Sequence, residues 1–215
     1  MKTLLIEAGH GGMSPDGNYM TNEKDGKYFV HNEDFTAYEG VTNRQIAARL
    51  IDKLRAAGIP CIQIHHDYLD VPYLSLITDA VNKHAREKDC FHLSIHSDAI
   101  ASKTYPTPGE KKAFGATVFT SVGQTAADPF AEIIATDLEA ALKPTGWPLR
   151  KDIISDGDKD REANFYVLKH TVCPSVLVEL LYFDEINQAL FLNSEKGQNL
   201  LAESLFQSIK KICGV

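Results

Sequence analysis

Short apolar runs alternate with helix-periodic stretches along this chain, and that alternation limits the folds open to it. The runs are Thr3 to Ile6, "IPCIQIH", "CFHLSIH", "GATVFT" and "PSVLVEL". Between them, Ile46, Ala47, Leu50, Ile51 and Leu54 recur at the 3.6-residue period, so 41–57 is expected to be a helix, closed by Gly58 as its cap. Leu74, Ile77, Val81 and Ala85 mark a second helix. Phe130, Ile133, Ile134, Leu138 and Leu142 mark a third, and Leu201, Leu205, Ile209 and Ile212 a closing one. A helix between two strands returns the chain to the end where it started, which favours parallel pairing. The expectation is an α/β fold: one domain over 1–215, with a mostly parallel five- or six-stranded sheet and helices on both faces. Two polar stretches, 13–38 and 143–164, show no period and are expected to be long loops of the kind that carry function.

Composition narrows the partners. The net charge of -7 opposes a nucleic-acid surface, which needs clustered Lys and Arg. No apolar run approaches a membrane span, and the start "MKTLLIEAGHGG" is too short and too soon polar for a signal peptide. A soluble, cytoplasmically synthesised monomer is expected, binding neither membrane nor nucleic acid. Cys61, Cys90, Cys173 and Cys213 are widely spaced with no C-x-x-C pair, and are expected to be buried free thiols.

Three apolar runs end in residues of one chemical kind. "TLLIEAGHGG" delivers Glu7 and His10, "FHLSIHSD" delivers His96, and "SVLVEL" delivers Glu179. Ligand sites in open parallel sheets form beyond the carboxyl ends of the strands, so neighbouring strands would bring these side chains into one crevice. Two histidines and a carboxylate form a catalytic zinc set that leaves a position for water. Glu39, at the start of the first helix, is the favoured third ligand over Asp25, Glu33 and Asp34. Gly9, Gly11 and Gly12 are expected to let the backbone turn sharply near His10. His92 lies on the same strand face as His96, but four residues along a strand is roughly 13 Å, too far to share a metal. His92 is therefore read as structural, as are His31, His65, His66, His84 and His170. A buried carboxylate ending an apolar strand is costly without a purpose, which favours a chemical role for Glu179.

The segments "EAGHGG", "YEGVTNRQIAARLIDKLRAAGI", "FHLSIHSDA", "GATVFT" and "NFYVLKHTVCPSVLVEL" together resemble the zinc-dependent N-acetylmuramoyl-L-alanine amidases of autolysins, sporulation enzymes and phage endolysins. The resemblance spans nearly the whole chain. It implies one Zn2+ held by His10, Glu39 and His96, with Glu179 as the catalytic glutamate. It also implies cleavage of the amide between the lactyl group of N-acetylmuramic acid and L-alanine in peptidoglycan. Glu7 stands where the family usually has Asp and is expected to hydrogen-bond a ligand imidazole, fixing its tautomer. Ile77 stands where the second helix often has Arg, and Leu181-Tyr182 replace the usual Gly-Phe. With no signal peptide, the protein is expected to reach the wall after release or by another export route. The competing readings are a zinc peptidase or deacylase on another amide, and a non-catalytic wall-binding protein.

Overall fold

The computed structural model describes residues 1–65, 67–100, 114–153 and 157–215. His66 and part of the 143–164 stretch lie outside them. The strands are β1 (Thr3–Ala8), β2 (Tyr28–Asn32), β3 (Phe35–Tyr38), β4 (Cys61–Ile64), β5 (Cys90–Asp98), β6 (Thr117–Thr120), β7 (Arg161–Glu162) and β8 (Ser175–Tyr182). The helices are α1 (Glu39–Ala56), α2 (Leu74–Ala85), α3 (Asp128–Leu142), α4 (Tyr166–Lys169), α5 (Ile186–Leu192) and α6 (Glu195–Cys213). Six strands form one sheet in the order β4-β1-β5-β8-β6-β7. The pairs β4–β1, β1–β5, β5–β8 and β6–β7 are parallel, while β6 runs antiparallel to β8. The single domain and mostly parallel sheet match the sequence expectation. The sixth strand does not come from an apolar run: β7 is two residues long and lies inside the second polar stretch.

Strand alternation divides the sheet into two faces. Leu4, Ile6, Leu93, Ile95, Val176 and Val178 belong to a large core shared with α1, α3 and α6. In α1, the five apolar residues read from the sequence are all buried there. Burial of one such Leu or Ile stabilises by about 1.5–3 kcal/mol. Gly58 follows with φ +69, the left-handed conformation that ends the helix. The opposite face carries Leu5, Leu177 and Phe119, packed by Ile77 and Val81 of α2 and by Val167 and Leu168 of α4. Its core is much smaller, because α4 is a single turn. This thin cover leaves a groove open at the carboxyl end of the sheet.

The 13–38 stretch is more ordered than a loop reading allows. It contains an antiparallel β2–β3 hairpin, which leads directly into α1. The hairpin turn, with Glu33 and Asp34, is exposed. All four cysteines are free. Cys90 is buried, whereas Cys61, Cys173 and Cys213 are only half-buried. Among the described residues no helix is long and apolar enough to cross a membrane.

Candidate metal centre

The three strands expected to converge are adjacent: β1, β5 and β8. Glu7 pairs in register with Ser94, and His96 with Glu179. Glu7, His96 and Glu179 lie on the thinly covered face and line a groove of about 580 Å³ together with His10. Glu39 enters from a different element. It is the first residue of α1 rather than a residue before it, so the positive end of the helix faces its carboxylate.

His10, Glu39 and His96 each offer a ligand atom, and these atoms lie within 4.8 Å of one another. Glu39 Oε1 stands between the two imidazoles, 3.3 Å from His10 Nε2 and 3.1 Å from His96 Nδ1. Donors bound at about 2.0–2.1 Å to a tetrahedral ion stand roughly 3.3 Å apart, so the two distances to Glu39 match a ligand edge, and the histidines would draw in around an ion. The second oxygen of Glu39, buried with its residue at 1% exposure, accepts no hydrogen bond among the described residues. Asp25 lines the same groove but is not in the ligand group, and neither are Glu33 and Asp34.

The supporting contacts explain why these residue types sit here. Asn43, one helical turn after Glu39, donates to Gly9 O and to Glu39 Oε1, and accepts from Ser97 Oγ. Arg44 donates to the carbonyl oxygens of His10 and Gly40. The sharp turn expected of the neighbouring glycines falls on His10 itself, at φ +65. That conformation costs a non-glycine residue about 1–2 kcal/mol, and the Arg44 clamp helps to hold it. The glycines serve close approach instead. A Cβ on Gly9 would lie 2.0 Å from the His96 ring, and one on Gly40 would lie 2.0 Å from Gly11 O.

Glu7 Oε2 accepts from Ser94 Oγ and lies 3.8 Å from His96 Nε2, on the side of the ring away from Glu39. The expected hydrogen bond to the imidazole is not formed at that distance, because the oxygen is taken by Ser94; Glu7 acts on the ring by charge. Burial alone would make His96 harder to protonate. The hydrogen bond to Glu39 and the charges of Glu7 and Glu179 outweigh burial and raise its pKa to about 9. Burial also opposes ionisation of Glu39, but His10 and His96 prevail and hold its carboxyl well below the usual range. Glu179 goes the other way. Its enclosure raises its pKa, the nearby Glu39 and Asp98 charges add to this, and His96 only partly opposes it. Glu179 Oε2 is enclosed and accepts no hydrogen bond among the described residues. A carboxyl poised to hold a proton beside three potential metal ligands can serve as general base and acid.

His92 is structural in its contacts. It is fully buried, its Nδ1 lies 2.8 Å from Ser175 Oγ, and burial lowers its pKa to about 4. His31 Nε2 likewise meets Phe183 O at 2.9 Å, away from the groove. Ile77 is buried at the groove wall. Sequence reasoning missed Lys27, whose Nζ lies 3.5 Å from Glu39 Oε2. It also missed Asn43 and Arg44 as the residues that hold the centre. Asn43 and Arg44 were visible as polar residues within "EGVTNRQ", one turn after Glu39 and Gly40 respectively; Lys27 had no such signal.

The N-acetylmuramoyl-L-alanine amidase family model matches residues 4–211. No curated protein matches the sequence. The fold is similar to the catalytic domain of CwlV from Bacillus (Paenibacillus) polymyxa var. colistinus. That alignment has a TM-score of 0.71 and 21% identity, and covers 100% of this chain and 99% of the other. An N-acetylmuramoyl-L-alanine amidase from Clostridium difficile 630 aligns with a TM-score of 0.71 at 20% identity, over 99% and 97% of the two chains. Ami1 from Mycobacterium smegmatis aligns with a TM-score of 0.68 at 19% identity, over 99% and 97%. A match over almost the full length, on a fold with a His-Glu-His centre at its groove, places the chain in the N-acetylmuramoyl-L-alanine amidase family.

Proposed function

We propose that this protein is a zinc-dependent peptidoglycan amidase that cleaves the bond between the lactyl carbonyl of N-acetylmuramic acid and L-alanine. The observation that carries the reading is the grouping of His10, Glu39 and His96 ligand atoms within 4.8 Å, with Glu179 in register beside His96. These three residues would hold one zinc ion per chain. When bound there, zinc supplies Lewis acidity that polarises the amide carbonyl and acidifies water.

The chain's own groups do the rest. Glu179 takes a proton from the attacking water and returns it to the leaving amine of L-alanine, as base and then acid. Its carboxyl, in register beside His96 on the groove face, is placed to do both. Glu7 faces His96 Nε2, the ring nitrogen away from Glu39, and steadies the imidazole by charge. Asn43 fixes the Glu39 carboxylate, and Arg44 fixes the backbone at His10. Each of these contacts reduces the rearrangement left to be done when substrate arrives.

Digestion of purified cell walls tests the reaction. New L-alanine amino termini without new reducing sugars are the expected products. New reducing ends with no new amino termini would overturn the proposal, and cleavage between stem residues would favour the zinc peptidase reading.

A further inference from the structure

We propose that Lys27 binds a free carboxylate of the stem peptide, and so makes the enzyme prefer an acidic residue directly after L-alanine over its carboxamide. This inference rests on the amidase reading and adds a specificity determinant to it.

The groove is acidic. Glu7, Asp25, Asp70 and Glu179 line it, and apart from histidines Lys27 is the single basic side chain among its described lining residues. The whole chain is also negative, at -7. Away from the metal ligands, Lys27 is thus the cationic side chain among the described lining residues that an anionic stem peptide can pair with. Lys27 is placed by its backbone. Its carbonyl accepts from Tyr19 Oη at 2.9 Å and from the Glu39 backbone N–H at 3.0 Å. Tyr19 Oη in turn accepts from Gly40 N. The residue is thereby tied to the first turn of α1, while its side chain stays 36% exposed with Nζ 3.5 Å from Glu39 Oε2.

Lys27 is a partial counter-ion for Glu39 here, and a metal on the same carboxylate would take over that role. The ammonium then has an exposed side facing the groove and three donors to satisfy. The reach is suitable. A residue spans at most about 3.3–3.6 Å of extended chain, so a carboxylate on the second stem residue lies roughly 7 Å from the scissile bond. An ammonium near the Glu39 carboxylate can meet a group at that range through its four-carbon stem.

The test compares N-acetylmuramoyl-L-alanyl-γ-D-glutamyl-L-lysine, whose second residue keeps one free carboxylate, with the counterpart in which that carboxylate is a carboxamide, for wild type, Lys27→Met and Lys27→Arg, each checked for zinc content. The readout is the ratio of kcat/KM on the acid to that on the amide. Wild type is expected to prefer the acid by about tenfold, the scale of one charge-assisted hydrogen bond. The ratio is expected to collapse toward one in Lys27→Met, to persist in Lys27→Arg, and to shrink with added salt in wild type. A wild-type ratio near one, or an unchanged ratio in Lys27→Met, overturns the proposal. If zinc-loaded wild type cleaves neither compound, the amidase reading is what fails; equilibrium binding of the same two ligands to the three proteins then decides the Lys27 contact on its own.

Discussion

His96 and Glu179 are register partners across the parallel β5–β8 pair, so a potential metal ligand and a carboxyl with raised proton affinity stand side by side on one sheet face. Immediately beyond them the register shifts: Asp98 pairs with Tyr182, and the bulge falls on β8. Leu181 at this bulge has φ +67. A bulge beside a site bends its strand and re-aims the neighbouring side chains. The orientation of Glu179 is therefore set by the backbone as well as by packing.

Glu179→Gln keeps the shape of the side chain and removes its proton chemistry. Turnover on muropeptides is expected to fall by about 10²–10⁴-fold, the usual contribution of a general acid–base group. Zinc content is expected to stay at one per chain, because Glu179 is outside the ligand group. Parallel activity and metal analysis checks this. Lost zinc would mean that Glu179 belongs to the metal set, and retained turnover would remove its catalytic role.

Metal uptake is expected to release protons. His96 has its pKa raised to about 9 without metal, so at neutral pH the ring carries a proton that a metal must displace. Calorimetry in buffers of different ionisation enthalpy will read the proton count, and zinc affinity is expected to climb as pH rises from about 6 toward 9. The stability of the metal-free protein carries the opposite sign. The folded pKa lies above the unfolded value near 6.5, so this contribution is complete below about 6.5 and is lost as pH rises through 9. Proton release absent across this window would contradict the ion-paired state of His96.

Much of this centre was legible in the chain because strands carry their information in alternation. Glu7, His96 and Glu179 each end an apolar run, so their convergence needed only the β1-β5-β8 adjacency. Glu39 was legible through the helix read just after it, which starts two residues earlier than the apolar pattern at 41–57 implied. What escaped has no period. The β2–β3 hairpin is amphipathic only weakly, β7 has two residues, and α4 is a single turn, so none spans enough positions to show a repeat. Lys27 escaped because its place depends on a long-range tie between its carbonyl and α1. The strain at His10 escaped because a sequence rich in glycine suggests that glycine takes the turn. Here the glycines admit other atoms instead.

Leu181→Gly tests whether backbone strain or burial dominates at the bulge. Glycine would relieve a left-handed conformation worth about 1–2 kcal/mol. It would also delete a fully buried Leu side chain, and Leu→Ala changes in cores cost about 2.7–5.0 kcal/mol. Lost burial exceeds relieved strain, so a net loss of about 1–4 kcal/mol is expected in denaturant unfolding. A stabilised variant would show that the strain at Leu181 outweighs its packing.

Gly40→Ala sets helix propensity against a close approach. Alanine in place of glycine favours a helix by up to about 1 kcal/mol. The added Cβ would, however, lie 2.0 Å from Gly11 O, and a backbone carbonyl cannot swing aside as a side chain can. Overpacking of this kind costs about 1–3 kcal/mol, so destabilisation is expected despite the better helix former. The consequence for the centre is more specific. Moving the start of α1 away from the 9–12 loop draws Glu39 from His10, which now stand 3.3 Å apart. Zinc affinity is therefore expected to fall further than in an Ala substitution on the exposed face of the same helix, such as Asp52→Ala. Equal zinc affinities for the two variants, with an unchanged melting temperature for Gly40→Ala, would show that the helix start can shift without disturbing the ligands.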